Sequence, residues 1–218
     1  MKSSALPVST SIDESDMRQR ILHAAFHAFT DNGYAGTSTL AIATRAKVSK
    51  RDLYGLFENK QAMLVACIKS RTAAMRMPEG LPEPNSRETL ASVLTAFATN
   101  LLTETTHPAV VAMFRLAIAE ADRSPEVARA LEESREVNRH RLADLLDRAQ
   151  SAGLLPSGDT AEMASQCFAL LWADVMLGLL LGVRARPGRA QIQRHVAKAV
   201  AAFLQLHPKP ARNRQSAK

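Results

Sequence analysis

The chain has 218 residues, with 28 lysines and arginines against 21 aspartates and glutamates, and a formal net charge of +7. Its 46% apolar and 22% charged residues are ordinary for a globular protein and exclude a disordered chain, a collagen-like chain and a disulfide scaffold. The length suits one large domain or two small ones. Two cysteines far apart in sequence, Cys67 and Cys167, favour a reducing cytoplasm, and residues 1–15 lack the apolar stretch of a signal peptide.

Apolar residues recur at helical spacing along the whole chain, and alternating strand patterns are nearly absent. We therefore expect an all-α fold of about nine helices. Capping residues and glycines mark most helix ends, with Ser124-Pro125-Glu126 as a strong start signal and Gly33 and Gly153 as stops. The expected helices span 16–32, 38–46, 50–57, 59–77, 86–105, 108–123, 124–152, 159–182 and 189–206.

Composition changes divide the chain into segments. Three prolines and a glycine in 78–84 predict a linker, and two prolines open a basic C-terminal tail. We expect a disordered N-terminus over 1–15, a first domain over 16–66, a second domain over 67–207 and a disordered tail over 208–218.

The segment 38–57 predicts two short helices joined by a tight turn. Ala43 is small where the second helix has to cross closely, and Val48 fills the turn. Five basic residues and two acids lie between Arg45 and Lys60. A helix-turn-helix of this kind can place its second helix in a major groove about 12 Å wide. A helical hairpin with a solvated basic face is the alternative, which the turn and the anchoring residues disfavour.

These residues resemble the DNA-binding domain of TetR/AcrR-family transcriptional regulators over about 18–66. The resemblance rests on a glycine and tyrosine at 33–34, Thr37-Ser38, I-A-x-x-A over 42–46, V-S-K-x-x-L-Y-x-x-F over 48–57, and Lys60 followed by Met63-Leu64. It implies that Thr37 and Ser38 are phosphate-contacting caps of the second helix and that Lys60 contacts phosphate. It also implies a base-facing start of the recognition helix and a backbone-contacting tyrosine, formed here by Ser49, Lys50, Arg51, Asp52 and Tyr54.

The sequence departs from this family pattern at Lys47, where the turn usually carries glycine. If this residue is left-handed, lysine costs about 1 kcal/mol relative to glycine. In return, Lys47 adds a positive charge beside the DNA.

The C-terminal region resembles the C-terminal domain of AefR-type repressors, on Phe114-Arg115-Leu116, the segment 118–121 and the segment 124–126. In this family the region forms a ligand pocket and a dimer interface. The eighth helix is apolar nearly all round, which requires burial on every side. The expected pocket residues are Phe97, Asn100, Met113, Phe114, Phe168, Trp172, Met176 and Asp174. Core packing is the alternative role of each apolar residue, and Asp174 either meets a ligand cation or pairs with an arginine such as Arg115.

The ninth helix carries an apolar face that needs a cover, and two glycines on the eighth helix would let another helix approach. We expect these two helices of each chain to form a four-helix dimer interface, with burial inside one chain as the alternative. The expected interface residues are Gly178, Gly182, Ile192, Val196, Val200 and Phe203.

No enzyme site, metal site or cofactor is predicted. His23 and His27 have the spacing of metal ligands on a helix, but no third ligand accompanies them. Phosphate-binding glycine loops, nucleophile elbows and paired carboxylates are absent from the sequence. The apolar stretch 167–183 is shorter than the roughly 20 residues of a spanning helix and contains Asp174, so a buried helix explains it better than a membrane helix.

The resemblance therefore implies a cytoplasmic, homodimeric, ligand-responsive transcriptional regulator, and a repressor in preference to an activator. Its partners would be double-stranded DNA with a palindromic operator and a small apolar or amphipathic effector. The alternative from another class is a helical protein-binding adaptor whose basic hairpin contacts acidic proteins, and an enzyme ranks third.

Overall fold

The computed structural model describes residues 9–73 and 82–210, and within these ranges it contains nine helices and no strand. The prediction of an all-α fold is confirmed. The helices are α1 (Ser9–Gly36), α2 (Thr39–Ala46), α3 (Lys50–Leu56), α4 (Lys60–Ala73), α5 (Arg87–Thr105), α6 (Pro108–Glu120), α7 (Pro125–Ser151), α8 (Thr160–Leu180) and α9 (Arg189–Leu206).

The chain divides into two compact units. The first comprises Met1–Arg71 and Ala112–Leu131, and the second comprises Thr72–Val111 and Glu132–Lys218. Residues 112–131 thus fold with the N-terminal segment, although the sequence predicts them in the second domain. Helical periodicity shows that a helix has an apolar face, but it does not show which core that face joins. As a result, α4, α6 and α7 each continue from one unit into the other.

The first unit is built on the apolar face of α1. This helix packs on α2, which in turn packs on α3. Apolar residues of this segment are fully or almost fully buried, among them Ile21, Phe29, Ile42, Ala43, Leu53 and Phe57. Burying each large apolar side chain contributes roughly 1.5–3 kcal/mol, so this small core can hold α3 in a fixed orientation.

The second unit is built around α5, α8 and α9, which pack on one another. Arg87 at the start of α5 connects the segment after α7 to the end of α9. Its guanidinium donates to the carbonyls of Leu154 (2.7 Å) and His207 (2.6 Å), and also to that of Leu204. Two of these carbonyls lie at the end of α9, where the helix itself supplies no donors.

Three glycines with positive φ break or end helices, and the sequence predicts Gly33 and Gly153 as stops. Gly33 has φ 72° and ψ 173°, which breaks the helical path inside α1. Gly153 (φ 67°) and Gly182 (φ 74°) follow α7 and α8. In both cases the amide of the next residue bonds a carbonyl five residues back, that of Ala149 or Gly178, in a Schellman arrangement.

The start of α1 differs from the prediction. The helix begins at Ser9, within the predicted disordered segment and before the predicted start at residue 16. Residues 9–15 contain no glycine or proline to stop a helix, but they lack the apolar spacing that signals a buried face. Residues 1–8, residues 74–81 of the linker region and residues 211–218 of the tail lie outside the described ranges.

In the described part of the chain, no single helix is long and apolar enough to cross a membrane. Two stretches of α8, Thr160–Trp172 and Asp174–Leu180, meet that test only when they are taken together across a 51° bend, and only by length and composition.

Candidate nucleic-acid interface and effector site

The turn between α2 and α3 depends on Lys47, which adopts the left-handed conformation with φ 55° and ψ 47°. Its amide donates to the Thr44 carbonyl at 3.2 Å, and the Val48 amide donates to the Ala43 carbonyl at 3.0 Å. These bonds satisfy the last carbonyls of α2 and reverse the chain within two residues. The left-handed conformation considered in the sequence analysis is confirmed, and the exposed side chain turns its charge to solvent.

The start of α3 is held by a capping box between Ser49 and Asp52. The Asp52 amide donates to Ser49 Oγ at 3.0 Å, while the Ser49 amide and hydroxyl donate to Asp52 Oδ2 at 3.3 and 2.7 Å. Both side chains were expected to face bases. In the structure both side chains are exposed, and they stabilise the helix that carries Lys50 and Arg51.

Thr37 and Ser38 have different roles, although both were expected to contact phosphate. Thr37 is buried, and its hydroxyl lies 2.9 Å from the Ala28 carbonyl and 2.7 Å from the Gly33 carbonyl, so the expected phosphate contact is corrected to an internal one. Ser38 is exposed and caps α2, because its Oγ accepts from the Ala41 amide at 3.1 Å.

Lys60 joins the start of α4 to the end of α1. Its Nζ donates to the carbonyls of Tyr34 at 2.8 Å and Thr37 at 3.0 Å, and it lies 4.2 Å from the centre of the Tyr34 ring. Two of the three ammonium donors therefore position the segment before α2, and one is left for a ligand. Burial, followed by the carboxylates of Glu120 and Glu126, raises the pKa of Tyr34, which keeps its phenol protonated at neutral pH.

Two contacts that the sequence analysis missed orient α3. The Tyr54 hydroxyl lies 3.1 Å from Thr39 Oγ1 on α2. Arg18 on α1 places its guanidinium 4.6 Å from the centre of the Phe57 ring and donates to the Leu56 carbonyl at 3.3 Å. No sequence pattern signals a contact between residues so far apart, since helical periodicity reports only on neighbours within one helix.

Three exposed cations remain around the turn and the start of α3, namely Lys47, Lys50 and Arg51. Lys50 Nζ lies 5.8 Å from the centre of the Tyr54 ring. A fourth cation, Arg45, bonds Asp31 at 3.1 Å. This is a positively charged surface on the exposed side of a rigidly capped helix, as binding to a phosphate backbone requires.

Four of the residues predicted for the effector pocket are buried. Phe97 and Phe168 meet edge to face with ring centres 5.8 Å apart, as expected for opposing faces of α5 and α8. Phe97 and Met176 are buried in the second unit, whereas Met113 and Phe114 are buried in the first.

Trp172 and Asp174, two further predicted pocket residues, are not buried. The half-buried Trp172 has the Arg135 guanidinium 4.8 Å from its ring centre. Of the two roles expected for Asp174, the structure shows the pairing with an arginine, which is Arg184 at 3.0 Å, and the Asp174 side chain is 82% exposed. Apolar sequence neighbours had suggested burial, but the outward face of α8 carries this residue.

A cavity of about 860 Å³ lies elsewhere in the second unit, between α5 and the chain that leads into α9. Its volume is in the range of small-molecule sites. Of the predicted pocket residues, Asn100 is among its lining. The lining residues are Ala96, Thr99, Asn100, Thr103, Arg186, Pro187, Gly188, Arg189 and Ile192.

The residues predicted for the dimer interface have packing or backbone roles inside the chain. Ile192, Val196, Val200 and Phe203 are buried in the second unit, so these side chains form its core and are not available to a partner. Gly182 is the left-handed residue that ends α8. Gly178 makes room for Arg184, whose Cβ would lie 3.0 Å from a Cβ added at this glycine. At the end of α8, the large apolar side chains left exposed are Leu177, Leu181 and Val183.

The titratable clusters show no sign of a reactive site in the described ranges. Burial raises the pKa of both cysteine thiols to about 12, so they stay protonated at neutral pH. His23 and His27 bring their Nε2 atoms within 3.3 Å, and burial, followed by the neighbouring His23, lowers the pKa of His27. No group of three or more potential metal ligands occurs among the described residues.

Family models match most of the chain. Residues 21–67 match the model of bacterial regulatory proteins of the tetR family, and residues 92–207 match the C-terminal domain of AefR-like transcriptional repressors. The uncharacterized HTH-type transcriptional regulator YvkB of Bacillus subtilis strain 168 is 26% identical over 170 residues, which cover 76% of this chain and 85% of that protein.

Two solved structures are similar to this chain over about nine-tenths of its length. A Mesorhizobium loti MAFF303099 protein assigned to the TetR family of transcriptional regulators has a TM-score of 0.77 and 27% identity, covering 89% of this chain and 98% of that one. The flavonoid-responsive regulator FrrA has a TM-score of 0.73 and 29% identity, covering 90% of this chain and 100% of that one.

Proposed function

The chain belongs to the TetR family of bacterial regulatory proteins, and on this premise we propose that it is a cytoplasmic, homodimeric repressor that leaves a palindromic operator when a small effector binds. The observation that carries this proposal is the capped α3 with exposed Lys50 and Arg51 behind the Lys47 turn. Such a helix can present arginine to a guanine edge and lysine to phosphates.

The operator contacts are assigned by exposure. Arg51 is proposed to read a base, since its planar guanidinium can bond guanine O6 and N7 together. Lys47, Lys50 and the remaining donor of Lys60 are proposed to contact phosphates. Ser49 and Asp52 act through α3, by holding its first turn at the angle that the groove requires.

Selection of bound duplexes from a random DNA pool tests the function directly. A palindromic consensus with half-sites about 10 base pairs apart, or a multiple of that, is expected from a two-fold dimer. Arg51→Ala should weaken binding to this consensus by about 1–3 kcal/mol and relax specificity at one position of each half-site. Lys198→Ala, which removes an exposed charge from α9 in the second unit, is the control and should leave binding unchanged. Failure to enrich any sequence would refute the proposal.

Lys60→Ala gives a second measurement on the same DNA. Losing a phosphate contact should weaken binding to all duplexes alike and reduce the salt slope by about one. Because Lys60 also bonds the Tyr34 and Thr37 carbonyls, some thermal stability should be lost as well. An unchanged salt slope with reduced stability would leave Lys60 a positioning role alone.

The dimer is proposed to form through the exposed apolar end of α8. Leu177, Leu181 and Val183 are 59%, 67% and 80% exposed, which is unusual for neighbouring large apolar side chains on a soluble surface. Leu177→Glu should therefore weaken association in sedimentation experiments. Ile118→Glu, at 60% exposure in the first unit, is a matched control that should leave the dimer intact. A wild-type protein that is monomeric at micromolar concentration would refute the dimer.

The effector response is proposed to act by a population shift. The helices α4, α6 and α7 have residues in both units, so a shift of a helix in one unit is carried into the other by the helix itself. The similarity to FrrA, described as flavonoid-responsive, supports a small organic effector. DNA release by such a compound, measured by fluorescence anisotropy, is the expected outcome.

A further inference from the structure

The cavity between α5 and the start of α9 is lined by apolar side chains and by two arginines. Ala96, Pro187 and Ile192 supply apolar surface, and Thr99, Asn100 and Thr103 supply polar groups from α5. Arg186 and Arg189 line the same space, and none of the lining residues is acidic. A molecule in this cavity would therefore meet two guanidinium groups and no opposing carboxylate.

The two arginines differ from their neighbour Arg184. Arg184, two residues before Arg186, bonds Asp174 at 3.0 Å. In the ranges that the structure describes, neither Arg186 nor Arg189 has a carboxylate within ion-pair distance. The first turn of the 18-residue α9 meets the same cavity and adds partial positive charge. No carboxylate in the described ranges therefore neutralises the positive charge of these two arginines.

We propose that this cavity binds an organic acid, with its oxyanion on Arg186 and Arg189 and its apolar body against Ala96, Pro187 and Ile192. Guanidinium groups bond carboxylates and sulfonates through paired N–H donors. A volume of about 860 Å³ accommodates a two-ring aromatic compound. The proposal rests on the proposed function in taking this molecule as the effector, and it narrows the expected effector class from apolar or amphipathic compounds to anionic amphipathic ones.

The test uses two dyes that differ in one charged group. 8-Anilinonaphthalene-1-sulfonate carries a sulfonate, and N-phenyl-1-naphthylamine is the same fluorophore without it. Both brighten on binding, so a fluorescence titration with each dye gives its dissociation constant. The wild-type protein should bind the anionic dye at least tenfold more tightly, because each charge-assisted contact is worth about tenfold. The preference should shrink at high salt, since both arginines are exposed.

Substitutions locate the site. Arg186→Gln combined with Arg189→Gln should weaken binding of the anionic dye by at least tenfold and leave the neutral dye within about twofold. Thr103→Glu places a negative charge in the cavity, which repels the sulfonate of the dye. It should weaken binding of the anionic dye in the same way while keeping both arginines. Arg194→Gln removes an exposed charge from α9 outside the cavity and is the control.

Equal affinity of the wild-type protein for the two dyes would overturn the proposal. The same holds if the double variant binds the anionic dye as tightly as the Arg194→Gln control does. The DNA-binding function is tested separately, with no dye present, by the operator selection. If the wild-type protein selects an operator but binds both dyes equally, the anion site is refuted and the regulatory function stands. If it prefers the anionic dye but selects no operator, the regulatory function is refuted and the anion site stands.

Discussion

Replacing Lys47 separates the cost of its backbone conformation from the value of its charge. At φ 55° and ψ 47° a residue with a Cβ is strained by about 1–2 kcal/mol. Glycine removes that strain but loses about 0.5–1 kcal/mol through the greater freedom of the unfolded chain. The side chain is exposed, so little packing is lost. These ranges leave a net gain centred on about 0.75 kcal/mol, so Lys47→Gly should raise the free energy of unfolding by roughly that amount.

Lys47→Ala is the matched variant, because it removes the same charge and keeps the Cβ. Its stability should stay close to that of the wild type. A gain of 1 kcal/mol corresponds to roughly 2–4 °C in melting temperature for a domain of this size, so calorimetry on the three proteins resolves the difference. On DNA, both variants should lose the same single phosphate contact, and the salt slope should fall by about 0.9 in each.

Two results would refute this reasoning. If Lys47→Gly melts no higher than Lys47→Ala, the left-handed turn is not a source of strain. If the salt slopes of the two variants equal that of the wild type, the Lys47 ammonium does not neutralise a phosphate.

Three further predictions concern other parts of the chain. Gly33→Ala should lose about 1–3 kcal/mol, because φ 72° with ψ 173° is accessible almost only to glycine, whereas Gly55→Ala inside α3, with open space at the new Cβ, should gain up to about 1 kcal/mol; melting in the opposite order would contradict this. Because burial raises the pKa of Cys67 and Cys167 to about 12, the native protein at pH 8 should react with a disulfide reagent only after denaturation, and rapid native labelling would count against it. Asp174→Ala should change the free energy of unfolding by less than about 0.5 kcal/mol, since it removes an exposed ion pair; a large loss in chemical denaturation would indicate a buried role.

Local signals account for the elements that the sequence predicts well. The recognition segment is specified by neighbours within one or two turns, since capping serines, the turn at Lys47 and the spacing of Ile42, Ala43 and Leu53 all act over a few residues. The same holds for α9, which spans Arg189–Leu206 as predicted. Capping and helical periodicity are local physical effects, and a single sequence therefore carries them in readable form.

Tertiary structure decided which partner each apolar or polar side chain meets. The spacing of Val196, Val200 and Phe203 identifies an apolar face of α9, but an apolar face is equally suited to a partner chain and to its own core; here it is buried in the second unit. Likewise, Thr37 and Asp174 are polar in sequence wherever they point, yet the first is buried against carbonyls of α1 and the second lies on the surface. The cavity with Arg186 and Arg189 arises only because α5 folds beside residues about 90 positions later in the chain, a proximity that helical periodicity does not encode.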